Sequence, residues 1–282
     1  MKRFRDLKKP YKITVCAISA LLVILLTLVW TMFAFITVHK TYTYGYTGYT
    51  LTRTIAHRGY SGKYFDNTVQ SFTAAGEESF FHGIETDIRR TKDGVWVCCH
   101  DDNPFADKNI RITESVYDDI KDLPLDLSGA KPDVNVDATY RLPTYEEYLS
   151  ICASYGKIAL IEIKGKYSAE DLAEPVRKAI ETLGHSRAYF ASFTLESIEN
   201  VLSLEPYARV LLFAGQSIVA YCYTNMGFSV GVNKKILSEK LINRSHDADT
   251  AVFVYTIGSE EEYLRYSETN VDFIITDYAY RA

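Results

Sequence analysis

The chain has 282 residues, 47% hydrophobic and 24% charged, which is ordinary for a globular protein with ample material for a core. Its charge is unevenly placed: the first forty residues hold seven Lys+Arg and one acid, leaving 24 basic against 35 acidic residues in the remainder. An acidic remainder of this kind has nothing of a phosphate-tracking basic surface, which excludes nucleic acid as a partner.

The N-terminal stretch MKRFRDLKKPYK precedes 26 residues, 13–38, without a charge. A helix of roughly 20 apolar residues crosses a bilayer. Six Lys/Arg lie before the segment and only Lys40 just after it, so the positive-inside rule puts the N-terminus in the cytoplasm. The segment exceeds the h-region of about 7–15 residues of a cleaved signal peptide, no A-x-A-like site follows it, and it is apolar on every face. Residues 1–12 are therefore expected to be cytoplasmic and 13–38 a single-pass signal-anchor in the cell membrane. Residues 39–51 form a juxtamembrane linker, and 52–282 an extracellular domain. Tyr42, Tyr44, Tyr46 and Tyr49 read as an interfacial belt running into a tether, or as an exposed tyrosine-rich strand. Five cysteines without a C-x-x-C do not make a disulfide framework, and a Cys152–Cys222 bridge stays open.

From residue 52 onward apolar strand-like runs alternate with helical segments. The runs are TIAH, GIETDI, VWVCCH, IALIEIK, AYFASF, RVLLFAG, FSVGVN, AVFVYTI and FIITDY. Asn67 or Thr68 caps a helix after the first run. Thr144, Ser168 and Ser259 head T/S-x-x-E/D starts, and Leu195, Ile198, Val201 and Leu202 make a helical stripe. Alternating strands and helices predict an α/β fold, a parallel (β/α)8 TIM barrel, and no G-x-G-x-x-G follows the first strand to suggest a dinucleotide fold. Nine strands are one too many. Only six residues separate Ile88 from Val95, too few for a parallel crossover, so 84–99 is expected to be a hairpin turning at Lys92-Asp93-Gly94. A turn centred between Lys92 and Asp93 places Glu85 opposite His100. Residues 101–143, weakly periodic and proline-containing, read as an excursion that walls the substrate side or as an inert insertion.

The polar residues that interrupt the strands carry the chemistry. The first strand ends in His57 and Arg58, and the hairpin return ends in His100. Glu85 and Asp87 project from one face of the second strand, as do Glu162 and Lys164 of IEIK. Barrel sites form where strands run into their following loops, so these ends converge. Three carboxylates in an apolar mouth repel one another unless a cation neutralises them, and an oxygen-only ligand set favours Mg²⁺ or Ca²⁺ over Zn²⁺. Two histidines beside a hard metal, with an arginine and a lysine, suggest phosphoester chemistry. The metal, Arg58 and Lys164 would hold phosphate charge while the histidines move protons. Any one of these residues alone is more often structural; their coincidence at four strand ends is what points to a site.

The segments HRG…DNT…F, IETDIRRTKDGVWVCCHD, RLPTYEEYL, LIEIK, ASF and VFVYTI…VDFIITDY resemble, in order and over residues 54–279, the glycerophosphodiester phosphodiesterase family. The resemblance implies a metal-dependent (β/α)8 barrel cleaving glycerophosphodiesters to glycerol 3-phosphate and an alcohol. Carried over by position, His57 and His100 match the acid–base pair, and Glu85, Asp87 and Glu162 the metal ligands. Arg58 and Lys164 match the phosphate-side cations. The family's Pro-Glu-Asn-Thr stands here as Phe65-Asp66-Asn67-Thr68; the shorter Asp66 is expected to act on the site only through water. The family's Trp-Thr stands as Tyr255-Thr256, which keeps an aromatic wall against substrate. The expected protein is thus an outward-facing, membrane-anchored phosphodiesterase. A lysophospholipase D or sphingomyelinase D-like activity is the alternative among enzymes, and a surface binding protein on a degenerate barrel the alternative outside them.

Overall fold

The computed structural model of the chain describes residues 18–29, 51–136 and 139–280. Two compact units divide it, Met1–Tyr42 and Thr43–Ala282. In the first, residues 18–29 form helix α1, whose large apolar side chains, Leu21 and Leu25 among them, are exposed. The rest of the expected anchor 13–38, and the linker through residue 50, lie outside the described residues. Among the described residues no helix is long and apolar enough to cross a membrane.

The second unit begins with β1 (Arg53–Ala56), α2 (Val69–Glu77), β2 (Gly83–Arg90) and the short β3 (Trp96–Cys98). Helices α3 (Tyr117–Ile120) and α4 (Tyr145–Ser154) then lead to β4 (Ile158–Ile163). From there strand and helix alternate: α5 (Ala169–Leu183), β5 (Ala188–Ser192), α6 (Leu195–Leu204), β6 (Arg209–Ala214), α7 (Ser217–Asn225) and β7 (Ser229–Asn233). The chain finishes with α8 (Glu239–Asp247), β8 (Val252–Ile257), α9 (Glu260–Ser267) and β9 (Phe273–Thr276). Strands β1, β2 and β4–β9 pair in parallel and close on themselves through β1–β9 and β1–β2, giving an eight-stranded barrel. All nine expected strands form, and the surplus one, β3, pairs antiparallel with the end of β2.

Strand alternation sorts the core into two layers. Along β4, Ile158 and Leu160 join Ile55, Tyr189, Leu211, Phe253 and Phe273 in the barrel interior. Ala159, Ile161 and Ile163 instead meet Phe72, Tyr148 and Val176 of the surrounding helices. Each buried Leu, Ile, Val or Phe among them contributes about 1.5–3 kcal/mol. The same parity sends His57, Glu85, Asp87, Glu162, Phe193, Phe213, Tyr255 and Asp277 inward at the C-terminal ends of their strands. Gly231 on β7 faces the same interior, and a Cβ there would meet the Phe213 ring at 2.3 Å. Gly231→Ala is accordingly expected to cost about 1–3 kcal/mol through overpacking, read as a lowered thermal midpoint.

Helices α4 and α5 begin with complete capping boxes at Thr144/Glu147 and Ser168/Asp171, as their sequences predict. At α9, Ser259 accepts from the Glu262 amide, but the Glu262 carboxylate turns to Lys234 and leaves the box open. Helices α7 and α8 carry no start signal of the T/S-x-x-E/D kind. Thr68, not Asn67, caps α2. Cys98, Cys99, Cys152 and Cys222 are all free, so the Cys152–Cys222 bridge does not form.

The hairpin register differs from expectation by one residue. Ile88 pairs with Cys98 and Arg90 with Trp96, which centres the turn on Asp93. The cause is a three-residue loop: the Thr91 amide donates to the Val95 carbonyl (2.9 Å), and Gly94 takes up the left-handed φ of +97°. Residues 101–136 and 139–143 are a packed structure. Phe105, Ile112, Ile120 and Leu142 form a small core with Val97 and Cys99, which secures the excursion against β3.

Candidate active site

The β1–α2 connection turns on two successive left-handed residues, Arg58 (φ +55°) and Gly59 (φ +80°). A Cβ on Gly59 would lie 2.4 Å from Ser71 Oγ, so the turn admits only glycine. It aims the Arg58 backbone amide at Glu85 Oε2, 2.7 Å away. The Arg58 guanidinium reaches Asp66 Oδ2 (3.0 Å) and lies 3.3 Å from Asp87 Oδ2. Asp66 therefore acts on the site by gripping Arg58 directly, not through water as its short side chain suggests.

Asp87, 1% exposed, is held from three sides. Asn67 Nδ2 donates to Oδ2 (2.9 Å), Arg58 faces the same oxygen, and Lys164 Nζ lies 3.1 Å from Oδ1. Asn67 sits at φ +53°, which asparagine tolerates, and its carbonyl accepts from Thr86 Oγ1 (2.8 Å). Lys164 Nζ also lies 2.5 Å from Glu162 Oε1. Glu85, Asp87 and Glu162 are all buried, each with a carboxylate oxygen within 4.8 Å of the others.

The electrostatics are asymmetric. Burial raises the proton affinity of Asp87, but Arg58 and Lys164 outweigh it and hold the carboxyl below its usual range. Burial and the Asp87 charge push Glu85 well above the usual carboxylate range and Glu162 up to about 7. Two cations do not neutralise three buried carboxylates, which leaves the cluster short of positive charge. Its donor set fits a hard divalent cation: all oxygen, carboxylate, buried, and close enough to share one ion with bonds of about 2.0–2.6 Å.

Both histidines are held at Nδ1 by a carboxylate. His57 Nδ1 lies 2.8 Å from Asp277 Oδ1, and His100 Nδ1 lies 2.8 Å from Asp101 Oδ1. A carboxylate only accepts, so each ring donates through Nδ1 and keeps Nε2 for the cavity. Arg89 fixes the His100 carbonyl with two hydrogen bonds, at 3.0 and 2.6 Å. The shifted hairpin register does not place Glu85 opposite His100, yet both line the same cavity of about 170 Å³. His57, Arg58, Glu162 and Lys164 complete its polar side. Across from them Phe193 stacks on Phe213 (5.1 Å) and Tyr255 meets Phe213 edge-on (5.1 Å). Burial, then the Glu162 charge, pushes the Tyr255 phenol up to about 12. A second cavity, of about 270 Å³, shares Arg58 and His100 and is walled by the excursion through Lys108, Leu125, Asp126 and Ser128. The excursion thus lines a cavity that also holds Arg58 and His100.

Asp277, Asp101, Asn67 and Phe193 are residues to which sequence patterning assigned no such part. Asp277 lies inside the last apolar run, FIITDY, and Asp101 stands one residue beyond VWVCCH, the one signal available. Asp277 is held at about 2: burial would raise it, but the bond to His57, Lys131 and Ser61 prevail. Its folded value lies below the ordinary 3.8, so its stabilisation is present above pH 4 and fades as pH falls toward 2. The stability difference between wild type and Asp277→Asn should shrink by about 2 kcal/mol between pH 5 and pH 2. Urea denaturation at the two pH values reads this directly, and an unchanged difference contradicts it.

Comparison with known proteins agrees with this geometry. Residues 57–280 match the model of the glycerophosphoryl diester phosphodiesterase family. A glycerophosphodiester phosphodiesterase of Bacillus altitudinis is 25% identical, covering 82% of this chain and 97% of its own. One from Caldanaerobacter subterraneus is 26% identical, over 80% of this chain and 94% of its own. Among solved structures, an Oleispira antarctica phosphodiesterase in complex with sn-glycerol-3-phosphate has a TM-score of 0.67 at 21% identity. It covers 81% of this chain and 94% of its own. With the barrel, the strand-end residues and a match spanning most of its length, the chain belongs to the glycerophosphoryl diester phosphodiesterase family and is a phosphoric diester hydrolase.

Proposed function

We propose that the protein hydrolyses glycerophosphodiesters to glycerol 3-phosphate and an alcohol, using a divalent cation, Mg²⁺ or Ca²⁺, with His57 and His100 as the acid–base pair. The observation that carries this is one small cavity lined by two carboxylate-held histidines, Arg58, Lys164 and members of a buried three-carboxylate cluster. Glu85, Asp87 and Glu162 would hold the cation, which when bound supplies Lewis-acid charge at the phosphoryl oxygens. Arg58 and Lys164 supply fixed positive charge for the same oxygens. One histidine Nε2 takes a proton from the attacking hydroxyl, either water or the glycerol 2-hydroxyl, the latter giving a cyclic phosphate that water then opens to glycerol 3-phosphate. The other gives a proton to the departing alkoxide as the phosphorus–oxygen bond to the alcohol breaks. The Asp277 and Asp101 carboxylates keep each Nε2 presented and stabilise the imidazolium that forms.

A second reading, lysophospholipase D activity, is favoured by one feature: Phe193 is 48% exposed and extends the Phe213–Tyr255 wall outward, where an acyl chain would lie. The proposal also takes residues 13–38 as a membrane anchor with the barrel outside the cell, on the strength of the 26 uncharged residues and the basic N-terminus. A panel of glycerophosphocholine, lysophosphatidylcholine and sphingomyelin tests the substrate. Release of glycerol 3-phosphate from the first is expected, whereas turnover confined to the lipids would shift the assignment to the second reading. Recovery of the full chain in the soluble fraction after carbonate washing would sink the anchor and leave the chemistry standing.

A further inference from the structure

Three donors converge on one oxygen, Asp277 Oδ1: His57 Nδ1 at 2.8 Å, Ser61 Oγ at 2.9 Å and Lys131 Nζ at 3.2 Å. Lys131 Nζ also donates to Ser61 Oγ at 3.0 Å, so the lysine braces both the carboxylate and its hydroxyl donor. His57 follows β1, Ser61 lies in the β1–α2 loop and Asp277 follows β9, all of them barrel. Lys131 alone comes from the excursion, 146 residues before Asp277 in sequence.

The contact is built on both sides. The Gly62 amide donates to the Asp277 carbonyl at 2.8 Å, and a Cβ on Gly62 would lie 2.4 Å from the Tyr278 ring, so the loop bearing Ser61 is pressed against Asp277. On the excursion side, the Val134 amide closes a turn on the Lys131 carbonyl (3.0 Å) and Val134 is buried. Tyr140 donates to the Asn135 carbonyl and packs on Phe65 of the β1–α2 loop, with ring centroids 5.8 Å apart. The lysine thus ends a docked segment.

We infer that Lys131 is a positioning residue for His57: the excursion reaches over the barrel mouth and, through Asp277 Oδ1, fixes the ring that moves the proton. Asp277 has one oxygen on which His57, Ser61 and Lys131 agree. Without the ammonium the carboxylate can rotate, and the His57 ring loses its fixed acceptor. The inference rests on His57 acting in catalysis as proposed above.

The test uses the full chain with its divalent cation, comparing wild type, Lys131→Met, Lys131→Arg and His57→Ala on glycerophosphocholine. Lys131→Met should lower kcat about tenfold, as loss of a group that orients a functional histidine does. KM should stay within about twofold of wild type, and Lys131→Arg should recover most of kcat by restoring a cation in reach. Histidine ring ¹⁵N spectra give a readout independent of turnover. Wild type should show a single Nδ1–H form for His57, assigned by its loss in His57→Ala, and Lys131→Met should show mixed tautomers. Unchanged kcat and unchanged ring signals in Lys131→Met would overturn the inference. So would an equal fall in Met and Arg variants accompanied by a lowered thermal midpoint, which marks a purely structural clamp. Full activity in His57→Ala would instead overturn the catalytic reading, with the ring spectra still deciding whether Lys131 sets the tautomer.

Discussion

Alanine at His57 should lower kcat on glycerophosphocholine by a factor of about 10²–10⁴, the range over which a positioned acid or base acts. The ring stands at the end of β1 with its amide on the Thr276 carbonyl (2.9 Å) and its Nδ1 on Asp277. Its backbone is fixed by barrel closure and its ring by the strand next to it. Removing the imidazole leaves Arg58 and Lys164, the cations proposed to face the phosphoryl oxygens, where they are, so substrate binding should change far less than kcat. His57→Gln is the useful companion because it keeps bulk and polarity without a proton shuttle. If His57→Gln retained most of the wild-type kcat, the ring would be a structural spacer. His100→Ala should show a loss of similar order, and the two pH profiles should lose opposite limbs, one for the base and one for the acid.

Asparagine at Asp87 should abolish turnover and also weaken the fold. Asp87 meets Arg58, Lys164 and Asn67 while 1% exposed. Losing its charge leaves two largely buried cations short of a partner, a change that costs about 3–5 kcal/mol where the pair is buried. The new amide would also set a second N–H group against Asn67 Nδ2, which now donates to that position. Turnover should fall below detection because Asp87 carries the lowest proton affinity of the three carboxylates and is the member best able to stay charged beside phosphate. Calorimetry should show a lowered midpoint for Asp87→Asn and a smaller drop for Glu162→Gln, whose ion pair is with Lys164. Near-normal turnover in a folded Asp87→Asn protein would remove the carboxylate cluster from the mechanism.

Much of this architecture was legible in short stretches. Each of the nine strands announced itself as an apolar run, and six residues between Ile88 and Val95 were enough to separate a hairpin from a crossover. The inward parity of Glu85, Asp87 and Glu162 follows from residue spacing, because a strand has period two. What was not legible depended on partners remote in sequence or on fine turn chemistry. Asp277 meets His57 across 220 residues, at the seam where the barrel closes. The hairpin register moved by one because Gly94 could adopt a left-handed φ and lengthen the loop to three residues. Asn67 reads as a helix cap in sequence, but its side chain is diverted to Asp87 and the capping falls to Thr68. Helices α7 and α8 lack an acidic N3 residue, so their starts carry no reciprocal signal.

The most direct measurement is hydrolysis of glycerophosphocholine by the purified chain before and after chelation, with divalent cation added back. Glycerol 3-phosphate release should stop with chelator, return with Mg²⁺ or Ca²⁺, and fail to return in Glu162→Gln. Release that continued undiminished in metal-free protein would contradict a cation held by Glu85, Asp87 and Glu162.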